Sequence, residues 1–218
     1  MRKRISVFLI VFMSFLLSGV PLPALDTFQL DGGLFFIGSR DPQSAPSPLL
    51  PAAGVTFRLP RTVGIFDLES SLLLTGTYYQ YANDRASPAE EEFRDYAVVC
   101  VLGDLRLCYS FLKREPFSLG ADFGLSALLR IPIPLGVSAD ASENLGNTLG
   151  YFYPLRFLYP ETGIFGMYNL SEDFDLKLSL RAYWPLYLLW DSEDLPFPEG
   201  LLVSGLISLI WRLPPKES

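Results

Sequence analysis

The sequence predicts an all-β fold, an eight-stranded antiparallel up-and-down transmembrane β-barrel preceded by a cleaved signal peptide. Three observations lead to this prediction. Hydrophobicity alternates with a two-residue period in eight segments, a basic and then apolar stretch opens the chain, and long and short connections alternate between the segments. Because successive side chains of a strand point to opposite faces, the two-residue period indicates strands with one apolar and one polar face.

The clearest alternation runs over residues 173–186. Its even positions are all apolar from Phe174 to Leu186, whereas its odd positions up to Arg181 are charged or polar. One face is therefore apolar, and the other carries charges of both signs. We interpret the apolar face as a surface that meets lipid and the charged face as the lining of a barrel.

Seven further segments alternate in the same way, and the lengths of the connections carry independent information. Connections after the first, third, fifth and seventh segments are long, and those after the second, fourth and sixth are short. This pattern is typical of an up-and-down barrel with one loop end and one turn end. An even strand number places both termini at the turn end. The seven segments are 28–38, 53–59, 66–79, 96–111, 117–128, 161–170 and 201–213.

The N-terminus has the pattern of a secretory signal peptide. Arg2, Lys3 and Arg4 precede an apolar stretch at 5–20, and cleavage is expected after Ala24. We therefore assign 1–24 to the signal peptide and 25–218 to the barrel; an uncleaved membrane anchor is the alternative. No later run reaches the roughly 20 apolar residues of a spanning helix, although 50% of the chain is hydrophobic.

The charge balance excludes one class of partner. The formal net charge is −7, and loss of the three basic residues of the leader makes the mature chain −10 (−7 minus 3). Nucleic acid and other polyanions bind to basic surfaces, so we expect no nucleic-acid partner.

Periodicity alone does not say which face is inside, because a soluble lipocalin-like barrel shows the same alternation with its apolar face inward. Three features favour lipid outside. Several segments exceed about ten residues, the length of a tilted membrane strand. The polar face of the fifth segment is small, as a narrow filled lumen requires. Aromatic side chains gather near segment ends, as in the girdles of membrane barrels; those toward the turns are Phe66, Tyr109, Phe111, Phe117, Tyr168, Phe174 and Trp211.

On these segments and connections, the chain resembles the small, eight-stranded outer-membrane β-barrel proteins of double-membrane bacteria. The resemblance covers roughly 27–213 and lies in architecture, not in a signature motif. It implies an outer-membrane location with both termini periplasmic, and contacts with outer-membrane lipid and with the outer-membrane assembly machinery. Such barrels often finish on an aromatic residue, whereas here Trp211 and Leu213 are followed by a polar tail.

The sequence carries no sign of catalysis. It contains no His, and the resemblance implies that an enzyme of this kind would use His as general base. It also contains no phosphate loop, no dinucleotide-binding glycine motif and no Cys/His metal cluster. We therefore expect neither enzyme activity nor a cofactor or metal.

The remaining candidate site is the mixed-charge inner face. Charges inside a barrel must be paired or hydrated, and eight strands leave little room for a water column. We expect an internal salt-bridge network that fills the lumen; the alternative is a narrow polar conduit or small-ligand site. The candidate lumen residues are Asp31, Arg58, Asp67, Glu69, Asp104, Arg106, Asp122, Asp173, Asp175, Lys177, Arg181 and Arg212.

Three functions are compatible with this sequence. The leading hypothesis is a non-enzymatic surface or structural barrel whose extracellular loops contact ligands or partners. The second is a narrow channel or carrier for small solutes. The third is a soluble periplasmic binding barrel with its apolar face inward.

Overall fold

The computed structural model describes residues 26–38, 49–82, 85–89, 94–135, 141–152, 156–189 and 200–213. The predicted signal peptide lies outside the described residues. Nine strands, one α-helix and one 3₁₀ helix are present in the described ranges. In chain order they are β1 (Thr27–Ile37), β2 (Leu49–Val63), β3 (Phe66–Ala82), β4 (Arg85–Pro88), β5 (Tyr96–Arg114), β6 (Phe117–Pro134), α1 (Ala141–Phe152), β7 (Leu158–Asn169), β8 (Phe174–Tyr183), the 3₁₀ helix (Leu186–Leu189) and β9 (Leu202–Arg212).

Eight of these strands close into an antiparallel barrel, which confirms the predicted fold class. Each pairs with its neighbours in sequence order, β9 closes onto β1, and β4 is a short addition to β3. A path that passes from each residue to its partner on the next strand leaves β1 at Thr27 and returns to β1 ten positions later, at Ile37 (37 minus 27). This stagger means that the strands are tilted relative to the barrel axis. The path is Thr27, Arg58, Glu69, Arg106, Gly124, Glu161, Tyr183, Leu202 and Ile37.

The short connections form one end of the barrel, which we call the turn end. The β2–β3 turn passes through Gly64, whose φ of 65° is a left-handed conformation that glycine adopts without strain. The β5–β6 turn is Glu115–Pro116, and the β7–β8 turn spans 170–173. Thr27 pairs with Arg212, so the first and last strands also meet at this end. The opposite end, with the long connections, is the loop end.

The apolar face points outward, as the alternation predicts. On β8, Leu178 and Leu180 are 56% and 54% exposed, whereas the flanking residues Lys177 and Arg181 are each 1% exposed. Leu30 and Leu34 on β1 are exposed in the same way. The soluble alternative required the reverse orientation and is wrong for this barrel.

An aromatic girdle surrounds the turn end of the outer surface. Phe117 pairs in register with Tyr168, and Phe174 with Trp211. Phe174 also stacks on Trp211 with ring centroids 6.1 Å apart. Aromatic rings prefer the interface between lipid and water, so this ring marks one boundary of the transmembrane surface.

Two elements, β4 and α1, lie outside the eight predicted segments. Among the described strands, β4 pairs only with the end of β3, and it is too short to show a period. α1 occupies the third long connection, where the two-residue period predicts no element. No helix in the described ranges has the length and apolarity needed to cross a membrane.

Candidate functional site in the barrel lumen

The lumen is filled by two layers, and the β3–β5 pair shows the transition between them. From the turn end upward, the inward pairs on these strands are Glu69 with Arg106, Ser71 with Asp104, Leu73 with Leu102 and finally Tyr79 with Tyr96. The inner face therefore changes from charged to apolar toward the loop end. We call the first part the polar layer, which comprises Glu69, Ser71, Asp104, Arg106, Asp122, Glu161, Lys177 and Arg181.

Glu69 lies at the centre of the polar layer. Its carboxylate is 0% exposed and accepts from Lys177 Nζ at 2.8 Å, Arg106 Nη2 at 3.4 Å and Arg58 Nη2 at 3.3 Å. Gln29 Nε2 donates to the same carboxylate at 3.3 Å. One carboxylate therefore joins strands β1, β2, β3, β5 and β8 across the lumen.

Arg106 connects Glu69 to a second carboxylate. Its Nη1 lies 2.7 Å from Asp104 Oδ2 and donates to Ser71 Oγ at 3.1 Å. The Ser71 hydroxyl and main-chain N–H both donate to Asp104. Asp104 is thus satisfied by charge and by hydrogen bonds, which is the condition for keeping a carboxylate buried.

The third part of the polar layer is less completely paired. Arg181 Nε lies 3.6 Å from Asp122 Oδ2, and Ser126 Oγ donates to Glu161 Oε2 at 2.7 Å. Within the described part of the chain, both carboxylate oxygens of Asp122 lack a hydrogen-bond donor, and so does Oε1 of Glu161. The attraction between Asp122 and Arg181 is therefore electrostatic without a formed hydrogen bond.

Of the remaining predicted lumen residues, Asp31 lies at about the height of the polar layer, and the others lie nearer the turn end. Asp31 is 6% exposed and accepts from Thr56 Oγ1 at 2.6 Å. Arg58 Nη1 lies 3.6 Å from Asp67, whose side chain is 38% exposed. Asp175 binds Arg212, with Nε donating at 2.9 Å.

Asp173 is a correction to the predicted set. It lies exposed in the 171–173 bend and contributes its main-chain oxygen to Arg212 N, because β8 begins one residue later at Phe174. Its position in the alternation matched the inner face, but the strand does not reach it.

Above the polar layer, large apolar and aromatic side chains fill the lumen. We call these the aromatic layer: Phe35, Leu73, Tyr79, Tyr96, Leu102, Leu128, Tyr159, Tyr183 and Leu202, none more than 2% exposed. They form one continuous cluster of buried contacts. Tyr183 spans the boundary, because its hydroxyl lies 3.1 Å from Ser204 Oγ while its ring is 5.8 Å from that of Phe35.

α1 closes the aromatic layer at the loop end. The Phe152 ring packs edge-on against Tyr79 at 5.7 Å, and the Arg130 guanidinium lies 4.4 Å above Phe152. Arg130 Nη2 also donates to Tyr159 OH at 2.9 Å. Leu145 and Tyr151 are partly buried against the same cluster, and Thr148 is 0% exposed. The helix therefore covers the filled lumen.

Several lumen residues lie outside the predicted set. Glu161 begins the sixth predicted segment and alternates inward, so the period alone was enough to include it. Arg130 lies beyond the predicted end of the fifth segment at 128, in a predicted connection. Gln29, Ser71 and Ser126 are uncharged, so the mixed-charge pattern of the inner face does not indicate them.

Lys177 and Ser71 in the polar layer are both buried and already bonded. The buried Lys177 ammonium is paired with Glu69, and Ser71 is 3% exposed and bonded to Asp104, so neither presents a reactive atom to solvent. Among the residues that the structure describes, no three His, Cys, Asp or Glu side chains are grouped to hold a metal ion.

Comparison with known proteins gives a match in structure alone. No protein-family model matches the chain, and no curated protein matches its sequence. Neisserial surface protein A, NspA, is similar over 85% of this chain and 95% of its own, with 9% identity and a TM-score of 0.50. Ail, the attachment invasion locus protein of Yersinia pestis, aligns over 86% and 98% at 8% identity and a TM-score of 0.42. The chain has the fold of the small outer-membrane barrels.

Proposed function

We propose that the chain is a non-enzymatic barrel of the bacterial outer membrane, with a sealed lumen and with loops that contact ligands or partners outside the cell. The filled lumen is the observation that carries this proposal. A continuous water path would require exposed inward side chains, whereas the aromatic layer is no more than 2% exposed and lies beneath α1. The polar layer then serves to hold the strands together, and recognition falls to the loop end.

The absence of His and the burial of Ser71 and Lys177 support a non-enzymatic role. Acyl transfer and hydrolysis need a nucleophile and a base that reach the substrate. Here the serine and lysine of the polar layer lie beneath the aromatic layer, away from both lipid and solvent.

Planar-bilayer recording tests the sealed lumen. We expect that folded barrel, verified by its heat-modifiable migration on gels, inserts without producing unit conductance steps. Reproducible steps from the folded fraction, absent when heat-unfolded protein is added, would instead establish the second candidate, a narrow conduit. The incomplete pairing of Asp122 and Glu161 is the observation that favours that candidate, because buried polar atoms without partners favour hydration.

Cysteine labelling on intact cells tests the orientation. Leu189 at the loop end and Ile65 at the turn end are 80% and 71% exposed, and native Cys100 and Cys108 are buried. We expect a maleimide carried on polyethylene glycol, too large to pass general porins, to label Leu189→Cys but not Ile65→Cys. Both variants should react after detergent extraction. Labelling of Ile65→Cys on intact cells, with Leu189→Cys protected, would invert the orientation.

A further inference from the structure

The outer face of β6 continues the lipid-facing surface far toward the loop end. Every second residue from Phe117 to Leu135 is apolar. Near the end of this row, Ile131, Ile133 and Leu135 are 44%, 48% and 48% exposed, much like Leu125 at 46% in the transmembrane part. We call these three side chains the upper ridge. It is continuous with the transmembrane surface, because no polar side chain interrupts the row.

The barrel wall is uneven in height, and the upper ridge lies on its tall side. The pairing of β6 with β7 ends at Ala127 and Leu158, whereas its pairing with β5 continues to Pro134 and Tyr96. On β5, the outward neighbours of Ile131 and Ile133 are Val99 and Ala97, which are also apolar, and the exposed Asp95 beside Leu135 marks the upper limit of this apolar surface. The β5–β6 wall therefore extends beyond the β7–β8 wall with an apolar outer surface.

The apolar outer surface is much taller on the β5–β6 wall than on the β7–β8 wall, and the hydrocarbon layer around an upright barrel cannot cover both. From Phe174 to Trp184, β8 and its extension rise about 24 Å along the axis, at roughly 3.4 Å per residue and 45° of tilt. This height matches the apolar band of about 25 Å that membrane barrels present. The same values give about 43 Å from Phe117 to Leu135. An upright barrel would leave the upper ridge in water.

The edge of β6 at the upper ridge is poorly suited to main-chain pairing with a strand of another protein. Beyond Ala127, one edge of β6 has no β7 residue beside it, but Pro132 and Pro134 interrupt this segment. Proline has no main-chain N–H to give to an added strand and is a common protection of exposed edges. Side-chain contact with an apolar phase remains the interaction that the ridge offers.

We propose that the barrel sits tilted in the membrane, with the β5–β6 wall leaning into the bilayer and the upper ridge against acyl chains of the loop-side leaflet. This inference rests on the proposed membrane location. Burial of apolar surface stabilises the tilt, since each square ångström removed from water contributes about 25 cal/mol. α1 packs beside Arg130 on the inner side of the same wall, so the tilt brings the closed mouth toward the lipid headgroups.

Spin-label accessibility in liposomes tests the tilt. Single cysteines would be introduced in a background in which Cys100 and Cys108 are replaced by Ala, at Ile133 in the ridge, at Leu178 in the transmembrane surface and at Leu189 on the 3₁₀ helix. We expect the Ile133→Cys label to match the Leu178→Cys label, accessible to oxygen and protected from a water-soluble nickel chelate. The Leu189→Cys label should be open to the chelate.

The outcomes separate the inference from the function on which it rests. An Ile133→Cys label as open to the chelate as the Leu189→Cys label overturns the tilt, and so does spin–spin broadening that shows a second copy of the chain against the ridge. A Leu178→Cys label open to the chelate overturns the membrane location itself. As a second readout, polarised infrared spectra of oriented bilayers should show less barrel tilt in Ile131→Ser/Ile133→Ser than in the unmodified barrel; an unchanged tilt would contradict the proposal.

Discussion

Replacing Glu69 with glutamine is expected to lower the free energy of unfolding by about 3 to 5 kcal/mol, because it removes one partner of a buried ionic cluster. The glutamine keeps the shape of the side chain but not its charge. Lys177 and Arg106, at 2.8 and 3.4 Å from the Glu69 carboxylate, would face each other without that compensating charge. Arg106 keeps Asp104, but Lys177 has no other carboxylate within ion-pair distance in the described part of the chain. The measurement is urea unfolding of the folded barrel in vesicles, followed by tryptophan fluorescence.

Asp67→Asn is the matched control. Asp67 also faces Arg58, but at 3.6 Å and with 38% of its side chain exposed, so its ion pair is screened by water and is worth about 0 to 1 kcal/mol. A Glu69→Gln/Lys177→Met double variant should be more stable than Glu69→Gln alone, because it removes the uncompensated ammonium. Equal stability of Glu69→Gln and Asp67→Asn would show that the polar layer does not hold the barrel together.

The two-residue period predicted the strands and their inward faces wherever the two faces differ in polarity. β8 is the clearest case, since its alternating charges lie inside and its leucines outside. The aromatic layer escaped prediction because both faces are apolar near the loop end. Residues 97–102 on β5 are apolar without interruption, and such a run indicates a strand buried on both sides without saying what it packs against.

The extension of β6 was missed for a related reason. The predicted fifth segment ends at 128, whereas β6 continues through Pro132 to Pro134. No β7 residue pairs with this part of β6 in the described ranges, and proline is tolerated at such an edge. The helix α1 left a weak signal, since Leu145, Leu149 and Phe152 have the i, i+4, i+7 spacing of a helix face. Gly146 and Gly150 lower its helix propensity, and its stability comes from packing on the aromatic layer.

Which side chains meet in the lumen depends on the stagger between strands, and the pattern within a single strand does not reveal that stagger. Glu69 and Lys177 are 108 positions apart in sequence, and they meet only because the closed sheet brings β3 opposite β8. Alternation placed both on inner faces, yet it left open which of the predicted charges would pair. The register of all eight strands decides that, and register follows from the complete set of turns and neighbours.

Replacing Leu178 with arginine is expected to cost about 2 to 4 kcal/mol of folding free energy in a bilayer, the penalty for a cation near the middle of the lipid-facing surface. Leu178 is 56% exposed and is paired with Gly166 and Ile207, whose outward faces are also apolar. Its position near the centre of the outward row on β8 keeps the guanidinium far from either headgroup region. We therefore expect a large loss of heat-modifiable, folded barrel in membrane fractions.

Two controls separate lipid contact from general damage to the strand. Leu178→Ala removes the same side chain without adding charge, and it should assemble nearly normally because nothing packs tightly over an exposed position. Leu189→Arg adds the same charge at the loop end, where the native side chain is 80% exposed, and should leave assembly unchanged. If Leu178→Arg assembled and migrated like both controls, the outward face of β8 would not be in contact with lipid. The orientation on which the sealed lumen and the tilted wall depend would then have to be reversed.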